Sequence, residues 1–96
     1  DGRYFYYIGN RSVLTKYDTQ LGSTIPLAEV TAYDFCLDGQ SIYYISMTDG
    51  YRVFQWSLDG ENCKMIADIT ALDVSCDETS IYIIHKGTGE QVAIEK

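Results

Sequence analysis

The chain of 96 residues has one proline, one histidine, one tryptophan and seven basic residues against fourteen acidic ones, for a formal net charge of −7. So few Lys and Arg, scattered along the chain, exclude a nucleic-acid partner, because a phosphate backbone needs clustered cations. The same shortage argues against an anionic membrane surface. No apolar run approaches the roughly 20 residues of a membrane helix, so no membrane insertion is expected. The cysteines Cys36, Cys63 and Cys76 are odd in number and contain no C-x-x-C pair. They fit neither a disulfide scaffold nor a zinc site, and buried free thiols are expected. Apolar residues nowhere recur at i, i+3, i+4 and i+7, so essentially no helix is expected. Asp1-Gly2-Arg3-Tyr4 is no signal peptide. A signal can be removed, however, and an extracellular or cell-surface setting is slightly favoured over the cytoplasm.

What is present is strand chemistry. Nine Tyr, three Phe and an overall 46 % hydrophobic content suit pleated, half-buried surfaces. The strongest signal is internal similarity. Residues 30–45 and 69–84 align without a gap at an offset of 39. Thr31, Ala32, Asp34, Asp38, Ser41, Ile42, Tyr43 and Ile45 recur as Thr70, Ala71, Asp73, Asp77, Ser80, Ile81, Tyr82 and Ile84. The alignment extends to Gly50 and Val53 against Gly89 and Val92. Backwards, Leu14, Tyr17, Leu27 and Ala28 match Val53, Trp56, Ile66 and Ala67. After a two-residue loss in one turn, Tyr6-Tyr7-Ile8 matches Tyr43-Tyr44-Ile45 at an offset of 37.

Each unit carries four short strand signals, labelled a to d. In the middle copy these are Ala32–Leu37, Ile42–Met47, Tyr51–Leu58 and a weaker Cys63–Ala67. Asp38-Gly39, Thr48-Asp49-Gly50 and Asp59-Gly60 separate the first three and end the third. Gly accepts the positive φ of tight hairpins, and Asp bonds its own backbone there. Four antiparallel strands per unit of about 40 residues point to an all-β, propeller-like repeat. The units are a partial blade over 1–29, a full blade over 30–68 and a partial blade over 69–96. Ile42-Tyr43-Tyr44-Ile45, then Asp49-Gly50, then Leu58-Asp59-Gly60 resembles the blade repeats of YWTD-type and TolB-type β-propellers. Tyr44-Ile45-Ser46 stands where the YWTD repeats carry Trp-Thr-Asp. The resemblance implies an architecture shared by receptors, periplasmic scaffolds and accessory domains of enzymes.

Propellers close with four to eight blades. The strand order b-c-d, a-b-c-d, a-b-c makes an incomplete ring. It is read as a fragment or component of a larger propeller, with self-assembly or an open stack held by a partner as alternatives.

No catalytic residue is expected. His85, the only histidine, is matched by Ser46 and Gly9, and no G-x-S-x-G elbow accompanies it, so it is read as a polar strand end. Asp34 and Asp73 repeat on strand a. They are read as acceptors of bonds between blades, for instance from Thr31 and Thr70, and only weakly as ligands of a channel cation. Asp38, Asp59 and Asp77 are read as turn residues. Gly87-Thr88-Gly89 precedes a strand, not a helix, and is read as a hairpin turn. Tyr4, Tyr6, Tyr7, Tyr43, Tyr44 and Tyr82 are read as packing between blades before sugar stacking. Asn10-Arg11-Ser12 matches the N-glycosylation pattern. Propeller geometry would gather the b–c turns and d–a connections on one loop face: Asn10, Arg11, Glu29, Thr48, Asp49, Tyr51, Asp68, Lys86 and Thr88.

The expected function is a non-catalytic binding or scaffolding module without a cofactor. Its partner would be a protein or further blades, with a small ligand or glycan possible on the loop face. The alternatives are an accessory propeller domain that gates or recruits substrate for an enzyme such as a peptidase, and a self-assembling structural repeat.

Overall fold

The computed structural model describes residues 3–38, 41–57 and 63–96. The expected turn residues Gly39, Asp59 and Gly60 lie outside them. Among the described residues there is no α-helix. The elements are β1 (Tyr4–Ile8), a 3-10 turn (Asn10–Ser12), β2 (Val13–Asp18), β3 (Ser23–Asp38), β4 (Ser41–Ser46), β5 (Val53–Ser57), β6 (Cys63–Ala67), β7 (Ala71–Cys76), β8 (Ser80–His85) and β9 (Gln91–Glu95). Among the described residues the fold is all-β with antiparallel sheets, none of them closed. The chain divides into two compact units, Asp1–Ala32 and Tyr33–Lys96.

The first unit pairs β1 with β2 and β2 with the first part of β3. Period-2 alternation puts Phe5 and Tyr7 on one face and Tyr6 and Ile8 on the other. Leu14 is fully buried. Asp18 is buried too, and its charge is answered on all sides. The Arg3 guanidinium donates to both carboxylate oxygens, from Nε at 3.3 Å and Nη2 at 3.1 Å. The N–H groups of Gln20 and Leu21 add bonds of 2.9 and 3.2 Å. A buried carboxylate is tolerated only when paired in this way.

Separate d and a strands are expected either side of Glu29, but the backbone stays extended through all 16 residues of β3. The break survives as a register jump: Val13 pairs Thr31 while Thr15 pairs Pro26. The corresponding stretch of the next copy does break, between β6 and β7. Asp68 stands there in place of Glu29, and Asp supports turns as Glu does not.

The β1–β2 turn carries strain. Arg11 and Ser12 both have positive φ, 58° and 61°, a conformation disfavoured by roughly 1–2 kcal/mol for residues with a Cβ. Replacing Arg11-Ser12 by Asn-Gly, the pair preferred for two left-handed residues, is expected to raise unfolding free energy by about 1 kcal/mol, read from the urea midpoint. A drop in the midpoint would mean that the turn has another conformation in solution.

The second unit holds two sheets. One runs from the last part of β3 through β4 and β5 to β6, the other is β7-β8-β9. They share a core of Tyr43, Ile45, Val53, Ala71, Val74, Ile81 and Ile83. Ile45, Val53 and Ile83 are completely shielded from solvent. The sequence match of Val53 to Val92 shifts by one in the structure. Ile45 pairs Val53, whereas Ile84 pairs Gln91 and Val92 falls opposite Ile83. The surplus residue is Tyr51. Gly50 and Gly89 both sit at positive φ, 69° and 73°, but only the first is followed by a second such residue, Tyr51 at 57°.

Candidate functional site

In the second unit the β4–β5 turn, the β6–β7 connection and the β8–β9 turn are tied together. Arg52 links the first two. Its Nε meets the Asp68 carboxylate at 2.5 Å and one terminal nitrogen donates to the Asp49 carbonyl at 3.3 Å. The Thr70 hydroxyl donates to the Gly50 carbonyl at 3.2 Å, and the Lys86 and Ala71 N–H groups donate to the carbonyls of Thr70 and Tyr51, each at 2.9 Å. The Lys86 ammonium lies over the Tyr51 ring, 5.8 Å from its centroid. Tyr33 meets the same ring edge-on at 5.8 Å. Asp49, Tyr51, Asp68 and Lys86 are thus brought together. Thr88 caps its own turn, its hydroxyl accepting from Glu90 N–H at 3.2 Å, and Thr48 bonds the Ser46 hydroxyl at 3.3 Å. Arg11 belongs to the first unit, and the side chains of Asn10 and Glu29 lie outside the described residues.

Arg52 and Tyr33 are absent from the loop residues expected from sequence. Arg52 follows a turn and opens an apolar strand, the one signal pointing to it. Tyr33 carries no local mark, and only its contact with Tyr51 reveals it. Chemically the cluster offers two tyrosine faces, an ammonium and carboxylates on a polar rim. Such groups stack on and hydrogen-bond a polar ligand.

Asp34 lies beside β7. Its Oδ2 accepts the Val74 N–H at 3.2 Å. Burial raises its pKa, and a hydrogen bond with the Asp73 carboxyl raises it further. The expected hydroxyl donor to Asp73 is engaged elsewhere, since Thr70 bonds Gly50. Among the described residues no three His, Cys, Asp or Glu side chains gather to hold a metal. Two carboxylates fall well short of the six to eight oxygens of a calcium site.

Cys36 and Cys76 continue the same seam. The Cys76 thiol donates to the Leu37 carbonyl at 3.3 Å. Burial and the neighbouring Cys76 thiol push the Cys36 pKa far up. All three cysteines are free, but none is buried as expected: Cys36 and Cys76 are half-buried and Cys63 is exposed. It sits on β6, an edge strand among the described residues, and it bonds the Tyr44 hydroxyl at 3.1 Å.

The remaining residues take simple places. His85 Nδ1 accepts the Gly87 N–H at 3.0 Å. Asp77 caps the β7–β8 turn, accepting from Thr79 N–H at 2.9 Å, Ser80 N–H at 2.8 Å and the Tyr82 hydroxyl at 2.7 Å. Asp38 pairs the Lys96 ammonium at 2.6 Å. Tyr43 and Tyr44 are buried in strand packing, while Tyr7 is 41 % exposed. Tyr4 lies under the cations of Lys16, at 4.5 Å, and Arg3, at 5.2 Å. An open groove of about 590 Å³ crosses the first unit between Tyr7, Gly9, Thr15 and Pro26. The chain matches no family model, and no curated protein is similar to it.

Proposed function

We propose that the chain is a non-catalytic, propeller-type repeat module that acts by binding and scaffolding, as a component of a larger propeller. One observation carries this reading. Tyr43 and Ile45 of β4 share a core with Ile81 and Ile83 of β8, and these strands are the same element of two successive sequence units, 39 residues apart. Consecutive units that bury equivalent strands against each other are the working principle of stacked repeats. The binding surface is the cluster around Tyr51, Lys86 and Arg52, in keeping with recognition by loops on a rigid sheet scaffold. The exposed face of β1 is where such a module meets its neighbour.

The test is the cooperativity of unfolding. In a stacked repeat, stability is spread over units and their interfaces. The isolated monomeric chain is therefore expected to unfold in urea over a broad transition. Trp56 fluorescence, from the second unit, and far-ultraviolet circular dichroism, from all strands, should not coincide. A single sharp transition, coincident in both signals, would show a self-sufficient domain and overturn the component reading.

A further inference from the structure

We infer that the exposed Phe5–Tyr7 face of β1 is a docking face for a second copy of this chain, which engages it head to tail through the Tyr82–Ile84 face of β8. The inference rests on the propeller-type reading and adds the identity and polarity of the partner.

The argument is one of equivalence. At the offsets of 37 and 39, Phe5 corresponds to Ile42 and Ile81, and Tyr7 to Tyr44 and Ile83. On the opposite face, Tyr6 corresponds to Tyr43 and Tyr82, and Ile8 to Ile45 and Ile84. The second unit shows how the two kinds of face meet. Ile81 and Ile83 lie against Tyr43 and Ile45, and all four are at most 5 % exposed. A face of the Phe5–Tyr7 type is thus complementary to a face of the Tyr43–Ile45 type.

Among the described residues of the first unit that complement is missing. Phe5 is 60 % exposed and Tyr7 41 %, although both belong to a strand paired to β2. Large aromatic side chains left on a sheet face mark an interaction site. The strand register extends this face from Tyr7 to Thr15 and Pro26, and the groove of about 590 Å³ lies along that row. A concave strip beside two apolar rings receives side chains from a facing sheet. The candidate complement is on β8, where Tyr82 and Ile84 are only half-buried. Their cross-strand neighbours Ser75, Asp73 and Gln91 are exposed. The two faces differ, so the contact joins unlike surfaces and builds a ring or a filament instead of a two-fold dimer.

Blocking variants test both the partner and the polarity. Phe5→Lys with Tyr7→Lys blocks the head, and Ser75→Lys with Gln91→Lys blocks the tail. All four positions are exposed, so the core is untouched, and circular dichroism checks that each variant folds. The single variants Phe5→Lys and Ser75→Lys serve if a double variant does not. Light scattering coupled to size exclusion is run from micromolar to millimolar protein. The unaltered chain is expected above its monomer mass of 10.9 kDa, rising with concentration. Each blocked variant is expected at the monomer mass. Their equimolar mixture should double in mass and go no further, because each member retains one working face. An unaltered chain that stays monomeric throughout overturns the inference. So does association of the unaltered chain with no dimer in the mixture. The component reading is judged separately, by the unfolding of the head-blocked monomer.

Discussion

Ile83→Ala is expected to destabilise the second unit by about 2–5 kcal/mol, the cost of emptying a fully buried branched aliphatic position. Ile83 is completely shielded, and its neighbours in the core come from β4, β5, β7 and β8. A cavity there is lined by two sheets and collapses poorly, which places the cost toward the upper part of that range. Ile45→Ala, on the facing strand, should cost a similar amount. The two changes share one cavity wall, so the double variant should depart from additivity by at least about 0.5 kcal/mol. Leu72→Ala is the control, because Leu72 is 44 % exposed and surface changes stay within about 0.5 kcal/mol. Urea unfolding followed by Trp56 fluorescence reads all four. A loss below about 1 kcal/mol for Ile83→Ala would mean that the two sheets do not share a core.

The second large effect is on acid stability, where three aspartates pull in different directions. The Arg3 guanidinium, aided by the Leu21 and Gln20 amides and opposed by burial, lowers the pKa of Asp18. The Tyr82 hydroxyl and the Thr79 and Ser80 amides hold Asp77 down at about 2. Both groups bind protons less tightly folded than unfolded. Their stabilisation is present above the ordinary carboxylate range and is lost as pH falls through the folded values. Asp34 has the opposite sign. Burial, then the Asp73 carboxyl, raises its pKa, so it binds its proton more tightly when folded. Its contribution is present below the ordinary range and is lost as pH rises through the raised value.

The expected profile is therefore a fall in stability from about pH 4 toward pH 2, steepest where Asp18 and Asp77 take up protons. Carboxyl-carbon NMR titration should place Asp77 at about 2 and Asp34 above the usual range. Asp34→Asn keeps an acceptor for the Val74 amide and removes the charge. It should stabilise the neutral-pH protein by less than about 1 kcal/mol, because the site is only half-buried and solvent screens its charge. Asp18→Asn should weaken the protein at neutral pH and flatten the acid limb. An Asp77 that titrates in the ordinary carboxylate range would show that its bond to Tyr82 does not form in solution.

Much of the fold was legible in the residues themselves. Val, Ile and Tyr in short runs, separated by Asp-Gly and Thr-Asp-Gly, determined where β4 to β9 lie to within a residue or two. That information is local. Side-chain alternation acts over two residues, and turn chemistry over four. Asp77 was placed as a turn cap from sequence because the groups it bonds lie two to five residues away. The 39-residue spacing also matched the residues of β4 to those of β8.

What only the tertiary structure decided depends on groups far apart in sequence. It kept β3 continuous where two strands were expected, since an extended backbone can change partners at Leu14 without turning. It displaced Val92 from the place of Val53, because Tyr51 adds one left-handed residue to a turn. It put Arg52 between Asp49 and Asp68 and set Tyr33 against Tyr51. It also gave Asp18 a cation fifteen residues away in the chain. Such pairings depend on which sheet faces which and on desolvation at the contact, and neither leaves a period in the sequence. The strands follow from local alternation and turns, and the candidate site follows from packing.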